Sequence, residues 1–210
     1  MSTTLAAFDF DATLTRRDSV VPFLRSVAGT GRLIGGLVVR PHRVVRAAAG
    51  RDRNRLRALA SEVALAGVSR DEFTAHAEHL AAEIIASGLR DDTSARLEWH
   101  RRQGHRTLIV SASYEQYVRV VGEHLGVDDV LATRVEFDST DRCTGRLLGV
   151  NCRAEEKVRR LTAWMEDSGI ARRDATIWAY GDSSGDRALL DFADHPIWVG
   201  DPLDSVAATV

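Results

Sequence analysis

Carboxylates, hydroxyls and a single ammonium recur where short apolar runs of this chain end. Asp9 and Asp11 close the run Leu5-Ala6-Ala7-Phe8, and their spacing of two lets both project to one side of a strand end. Thr13 and Thr15 follow them. Ser111 and Ser113 close Thr107-Leu108-Ile109-Val110, and Asp182 and Asp186 close Thr176-Ile177-Trp178-Ala179-Tyr180, separated by Ser183-Ser184-Gly185. Lys157 stands near the start of a later helical stretch. Crowded carboxylates call for a cation, and an oxygen-only donor set suits Mg²⁺. Hydroxyls, the free amides of a strand-to-helix turn and a lysine suit phosphate oxygens. A carboxylate beyond the metal ligands suits a nucleophile or a general acid. The sum of these parts is phosphoryl transfer.

The elements that must position these groups are legible as four short buried strands: the three runs above and Pro196-Ile197-Trp198-Val199. Helical patterns follow at 114–125, 184–193 and 201–208. Buried strands alternating with helices predict an α/β fold with a Rossmann-like parallel sheet, whose carboxyl ends share the edge where ligands bind. Between the first two strands lie about 90 residues with almost no strand signal. Helical periodicity runs over 18–28, 52–66, 69–87 and 90–103, punctuated by Gly29, Gly31, Gly35, Gly36, Pro41 and Gly88. This predicts an all-helical cap over 16–103, inserted into a core made of 1–15 plus 104–210. Residues 133–150 read as a β-hairpin turning near Asp138-Ser139-Thr140-Asp141.

The 210 residues carry a formal charge of −2, which gives no basic excess for nucleic acid. The longest apolar runs, such as Leu33 to Val39, are too short to span a bilayer, and the N-terminal residues lack the positive segment of a signal peptide. The expectation is a soluble cytoplasmic protein acting on a small-molecule phosphate ester, without nucleic acid or stable membrane insertion. Cys143 and Cys152 are expected as free thiols. His76 and His79 lie at i, i+3, but without a third ligand they read as helix-surface residues. Of 28 basic residues 27 are Arg, so Lys157 marks a place where a compact ammonium is needed and a guanidinium does not fit. Residues 32–57 hold eight Arg and one Asp, either a solvated face or an electropositive lid.

In order along the chain, Asp9-Phe10-Asp11-Ala12-Thr13, Ser111, Lys157 and Gly181-Asp182-Ser183-Ser184-Gly185-Asp186 resemble the four motifs of the haloacid dehalogenase (HAD) superfamily. An Asp at a strand end is by itself more often a turn or capping residue; four motifs in order outweigh that reading. The long helical insertion is similar to the phosphoserine-phosphatase-like branch with a C1-type cap. The resemblance implies that Asp9 attacks phosphorus and becomes an aspartyl-phosphate. Asp11 would protonate the leaving oxygen and then deprotonate water. It also implies Mg²⁺ held by Asp9, the Asp11 carbonyl and Asp182, with Asp186 in support. Phosphate would sit on Ser111, the Ala112 amide and Lys157.

The chain departs from that branch in places. Phosphoserine phosphatases carry a Glu nine residues after the nucleophile, where this chain has Asp18, beside Arg16 and Arg17. A cap Arg reads the substrate carboxylate in that branch, and Arg51, Arg53 and Arg55 all stand available here. Ala12 occupies a position of Gly or Ser in many members, tolerable on condition that its φ stays negative. The implied activity is a Mg²⁺-dependent phosphatase, with phosphoserine as one candidate substrate. A phosphotransferase to an alcohol, or a phosphatase of a sugar, amino-alcohol or lipid phosphate, stays open at this level. A non-catalytic binder on the same fold would have lost Asp9 or Asp11, and both are present.

Overall fold

The computed structural model describes residues 3–38 and 53–200. Arg51, most of the arginine-rich stretch and the helix expected over 201–208 lie outside the described residues, as does the side chain of Arg53. Strands β1 (Thr3–Phe8), β2 (Arg106–Tyr114), β3 (Asp129–Thr133), β6 (Ala175–Gly181) and β7 (His195–Trp198) form one sheet in the order β3-β2-β1-β6-β7. All its pairings are parallel. The α/β parallel-sheet class read from the sequence is therefore the observed one. The order reverses direction at β1, so the crevice between the carboxyl ends of β1 and β6 is the switch point where such sheets take ligands.

Side chains of β1 alternate between two buried layers. Ala6 and Phe8 join one cluster with Ile109, Val118 and Tyr180, and Leu5 and Ala7 join the other with Leu161, Met165 and Leu189. Helices α6 (Glu155–Asp167) and α7 (Arg187–Phe192) cover the second layer. Helices α4 (Asp91–Arg102) and α5 (Glu115–Leu125) cover the first, with Leu97, Val118 and Val121 buried there. Helix α4 brings His100 edge-on to Phe8 and Tyr180, so this helix belongs to the layer on the sheet, although the sequence reading groups it with the insertion.

The inserted helices are α1 (Val20–Val38), kinked at Gly29, α2 (Arg53–Leu65) and α3 (Arg70–Glu83), which runs into a π-helical turn at Ile84–Gly88. They are joined to the core by aromatic packing. Phe23 of α1 lies 5.1 Å from Phe73 of α3, 5.4 Å from Tyr114 and 5.2 Å from Tyr117. Strands β4 (Val135–Phe137) and β5 (Cys143–Leu147) pair antiparallel as the expected hairpin. Asp138 closes its turn by accepting from the Thr140 and Arg142 amides. The hairpin packs on α2: a Cβ on Gly145, whose φ is 79°, would lie 2.9 Å from the Glu62 Cα. An isolated bridge between Ser69 and Arg142 ties it further to the inserted helices. Both chain crossings between sheet and insertion run side by side through the bridge Thr15–Leu89. Cys143 and Cys152 are free and buried, and no described helix is long and apolar enough to cross a membrane.

Candidate active site

At the end of β1 the chain turns back on itself around one carbonyl: the amides of Leu14 and Thr15 both donate to Phe10 O at 2.9 Å. That tight loop carries Asp9 and Asp11 out over the sheet edge. It also sets Ala12 at φ 57°, in the left-handed region, against the condition of negative φ. The crowding of several amides on the Phe10 carbonyl forces the turn and overrides the preference of an alanine.

Lys157 reaches the same point from the first turn of α6 and is fully buried. Its Nζ donates to Asp9 Oδ1 at 2.5 Å and to Asp186 Oδ1 at 2.6 Å. Burial opposes its charge, but the two carboxylates outweigh burial and hold the ammonium above its ordinary range. Burial pushes Asp9 up to about 7; Lys157 pulls it down, and the charges of Asp186 and Asp11 push it up again. Asp186 is held below the usual carboxylate range, because Lys157 and the Ser183 donors offset its burial. Its Oδ2 accepts from the Ser183 amide at 2.9 Å and hydroxyl at 2.7 Å. A Cβ on Gly181 would fall 2.4 Å from the Asp186 Cβ, so only glycine lets Asp186 fold back on the end of β6.

Asp182 completes an oxygen-only group. One oxygen from each of Asp9, Asp182 and Asp186 lies within 4.8 Å of the others. Asp182 is pushed up by burial and by the neighbouring Asp186, a repulsion that a divalent cation bound there would relieve. The donor set and the spacing fit Mg²⁺. Among the described residues this is the one such cluster; His79 faces Glu83 on the exposed side of α3.

Asp11 is held differently. Its Oδ1 accepts from the Ser19 amide at 2.9 Å and hydroxyl at 2.5 Å, and its Oδ2 accepts from the Ser113 hydroxyl at 2.5 Å. Tyr117 Oη lies 2.9 Å from Ser19 Oγ behind them. Burial and the nearby Asp18 push Asp11 up to about 6, against these donors and Arg57. A carboxyl titrating there is suited to give and take a proton near neutrality.

The second strand end is shaped by a break in the β2–β3 register between Ser111 and Tyr114. The break turns Ser111-Ala112-Ser113 over the cleft, as bulges beside active sites do. Ser111 Oγ accepts from the Ser113 amide at 3.0 Å. Ser111, Ala112, Asp9, Asp11, Lys157, Asp182 and Asp186 all line one cleft of about 290 Å³.

Asp18 lines that cleft and also caps α1, accepting from the Val21 amide at 3.1 Å. Of the three cap arginines, Arg55 points away: it is exposed and does not line the cleft. The arginine that the inserted helices bring to the cleft is Arg57, whose Nη1 donates to the Ala112 carbonyl at 2.5 Å. Two residues along a helix are about 200° apart, which is why Arg55 and Arg57 face opposite ways. Ser61, one turn on from Arg57, lies 2.6 Å from Tyr114 Oη and marks the inward face. Ser19 and Arg153 are further site residues that the sequence reading did not single out. For Arg57 and Ser19 a signal existed: the i, i+4 pairing of Arg57 with Ser61, and a serine one residue before α1.

The model of the haloacid dehalogenase-like hydrolase family matches residues 6–191. Protein CicA of Caulobacter vibrioides is 36% identical over 192 residues, spanning 91% of this chain and 83% of that protein. A histidinol-phosphatase of Neisseria meningitidis is 26% identical over 136 residues, 64% of this chain and 61% of that protein. Among solved structures, a Bordetella pertussis protein of unknown function superposes with TM-score 0.74 at 25% identity, over 91% of this chain and 87% of that one. A substrate-bound phosphoserine phosphatase superposes with TM-score 0.63 at 19% identity, over 92% of this chain and 84% of that one, a likeness of fold. The matched span covers all four clusters of polar residues around the cleft, and the chain belongs to the haloacid dehalogenase-like hydrolase family.

Proposed function

We propose that the protein is a Mg²⁺-dependent phosphatase of a small phosphate monoester, working through a phosphorylated Asp9. One observation carries this reading: within one cleft, a buried carboxylate bonded to a lone ammonium faces a second carboxyl held by hydroxyls and titrating near neutrality. The histidinol-phosphatase and phosphoserine phosphatase among its relatives support the reaction class.

An oxygen of Asp9 attacks phosphorus as the bond to the ester oxygen breaks. Asp11, carrying a proton, gives it to the departing alkoxide. Asp11, now ionised, then takes a proton from water as that water attacks the phosphorus of the aspartyl-phosphate. Inorganic phosphate leaves and Asp9 is restored. Ser111, the Ala112 amide and Lys157 orient the phosphate oxygens and offset their charge. Asp9, Asp182 and the Asp11 carbonyl, with Asp186 in support, would hold Mg²⁺, which would supply neutralisation of the charge on the transferring group. The helices inserted within 16–103 form a cap over the sheet edge, and from it Asp18 and Arg57 meet the leaving group. A carboxylate and a guanidinium lining one cleft suit an amino-acid ester such as phosphoserine.

The two aspartates are expected to fail in different ways. Asp9→Asn forms no covalent intermediate. In Asp11→Asn an aryl phosphate, with its good leaving group, still phosphorylates Asp9, but the water lacks its base. Loss of that base slows the second step about 10²–10⁴-fold, so phosphoenzyme accumulates. Rapid quench and intact mass with p-nitrophenyl phosphate and Mg²⁺ should find the adduct in Asp11→Asn alone. An adduct in Asp9→Asn would place the nucleophile elsewhere and end this mechanism.

A further inference from the structure

We propose that Arg153 reads a second negative charge on the substrate, a carboxylate or second phosphate carried by the leaving group. This rests on the phosphatase reading above and names the class of ester it serves.

Arg153 lies between β5 and α6, four residues before Lys157, and lines the same cleft half-buried. Its backbone is anchored on both sides: its amide donates to Asn151 O at 2.8 Å, and the Ala154 amide donates to Gly185 O at 2.8 Å. Ala154 takes φ 54° and ψ −129°, a conformation rare for a residue with a Cβ. That strained turn lays the Arg153 side chain across the loop holding Asp182 and Asp186. The loop makes room for it: a Cβ on Gly185 would lie 2.8 Å from Arg153 Nε and 3.1 Å from Cζ.

Among the described residues nothing uses this charge up. The guanidinium makes one side-chain hydrogen bond, at 3.2 Å to the Ser184 hydroxyl, and among the described residues no carboxylate pairs with it. Four of its five N–H donors are left for another acceptor. Lys157 is the contrast, held between two carboxylates. The cleft therefore holds a neutralised cation where phosphorus reacts and an uncommitted, fork-shaped one toward its edge. A planar fork matches a carboxylate or phosphate bidentately, and selects for it over a neutral or cationic group.

Wild type, Arg153→Gln and Arg153→Lys are compared with Mg²⁺ on five esters. Phosphoglycolate and 1,3-propanediol bisphosphate bear the second anion as carboxylate and as phosphate. Glycerol 1-phosphate and p-nitrophenyl phosphate lack it, and O-phosphoethanolamine bears a cation instead. Wild type should prefer the anionic esters in kcat/KM. Arg153→Gln should lower kcat/KM for one or both anionic esters about tenfold more than for the neutral pair, chiefly through KM. Arg153→Lys should recover part of the loss, and Gly185→Ala, which displaces the guanidinium, should shift preference in the same direction. The ester that loses most identifies the group read. An equal loss on all five esters would mean that Arg153 acts on the transferring phosphoryl group or on folding, and would overturn the proposal. So would a wild type without preference for either anion, or a preference unmoved in Arg153→Gln. Wild-type hydrolysis of no ester would instead bring down the phosphatase reading, and this proposal with it.

Discussion

Lys157 is placed by distances that leave no latitude. Its Nζ touches Asp9 and Asp186 from a fully buried position, and the rest of the side chain is enclosed as well. A guanidinium is larger, planar and cannot sit as a point between two carboxylates. Lys157→Arg keeps the charge, yet kcat on p-nitrophenyl phosphate is expected to fall at least about 10²-fold, the cost of misplacing a reacting group by about an ångström. Circular dichroism checks that the variant is folded; near-normal kcat in a folded variant would show that Lys157 does not position the nucleophile. Ala12 offers the opposite kind of residue, engaged through its backbone: its amide donates to Thr15 Oγ1 at 3.3 Å and its carbonyl accepts from Arg90 Nη1 at 3.3 Å. Its φ of 57° costs an alanine about 1–2 kcal/mol, which glycine avoids while losing about 0.5–1 kcal/mol in chain entropy. Ala12→Gly should therefore leave stability unchanged or raise it by up to about 1.5 kcal/mol. Ala12→Val, β-branched in the same conformation, should destabilise by more than about 2 kcal/mol. Urea midpoints of the two variants measure the difference, and equal midpoints would mean that the loop relaxes away from the left-handed turn.

Helix α4 shows how an element can carry a pH dependence into the fold. His100 is buried, with Nδ1 at 2.8 Å from His105 Nδ1 and Nε2 at 2.9 Å from Tyr180 Oη. Burial, then the neighbouring His105 and Arg96, push it down to about 3 from an ordinary value near 6.5. The unfolded chain therefore takes up a proton below about 6.5 that the folded chain refuses until about 3. Stability contributed by neutral His100 is whole above that window and is lost as pH falls through it, by up to about 1.4 kcal/mol per pH unit. The free energy of urea unfolding should drop more steeply between pH 6.5 and 4.5 in wild type than in His100→Gln. Equal slopes would locate the acid sensitivity in other groups.

At the scale of the molecule, the cleft lies between a sheet edge and inserted helices fused to that sheet through Phe23, Phe73, Tyr114 and Tyr117. Assembling Asp9, Asp182 and Asp186 at one edge costs stability that a cation bound there would return. A ligand that binds only the folded state adds about 2.7 kcal/mol when present at a hundredfold its dissociation constant. Mg²⁺ should accordingly raise Tm by several degrees in wild type, reversed by chelator, and raise it far less in Asp182→Asn. Calorimetry reads this independently of catalysis, and an equal rise in both proteins would place the cation at some other site.

The order of apolar runs and the polar groups at their ends were readable from the sequence alone. A strand buried on both faces must be apolar throughout, and the first polar residues mark where it emerges at the sheet edge. The parallel α/β class, the paired carboxylates and the oddity of one lysine among 27 arginines all follow from local pattern and composition. Contacts between elements distant in the chain did not. Which arginine meets the cleft turned on the phase of α2, because residues two apart face opposite sides of a helix and only packing against Tyr114 says which side is inward. That Ser19 and Ser113, 94 residues apart, both serve Asp11 depended on how α1 docks beside the end of β2. The sign of φ at Ala12 came from amides competing for the Phe10 carbonyl, and the place of α4 and of the hairpin from which buried face each one fills. Pattern along the chain tells which residues must be buried or must end a strand; only the folded packing decides which of them meet.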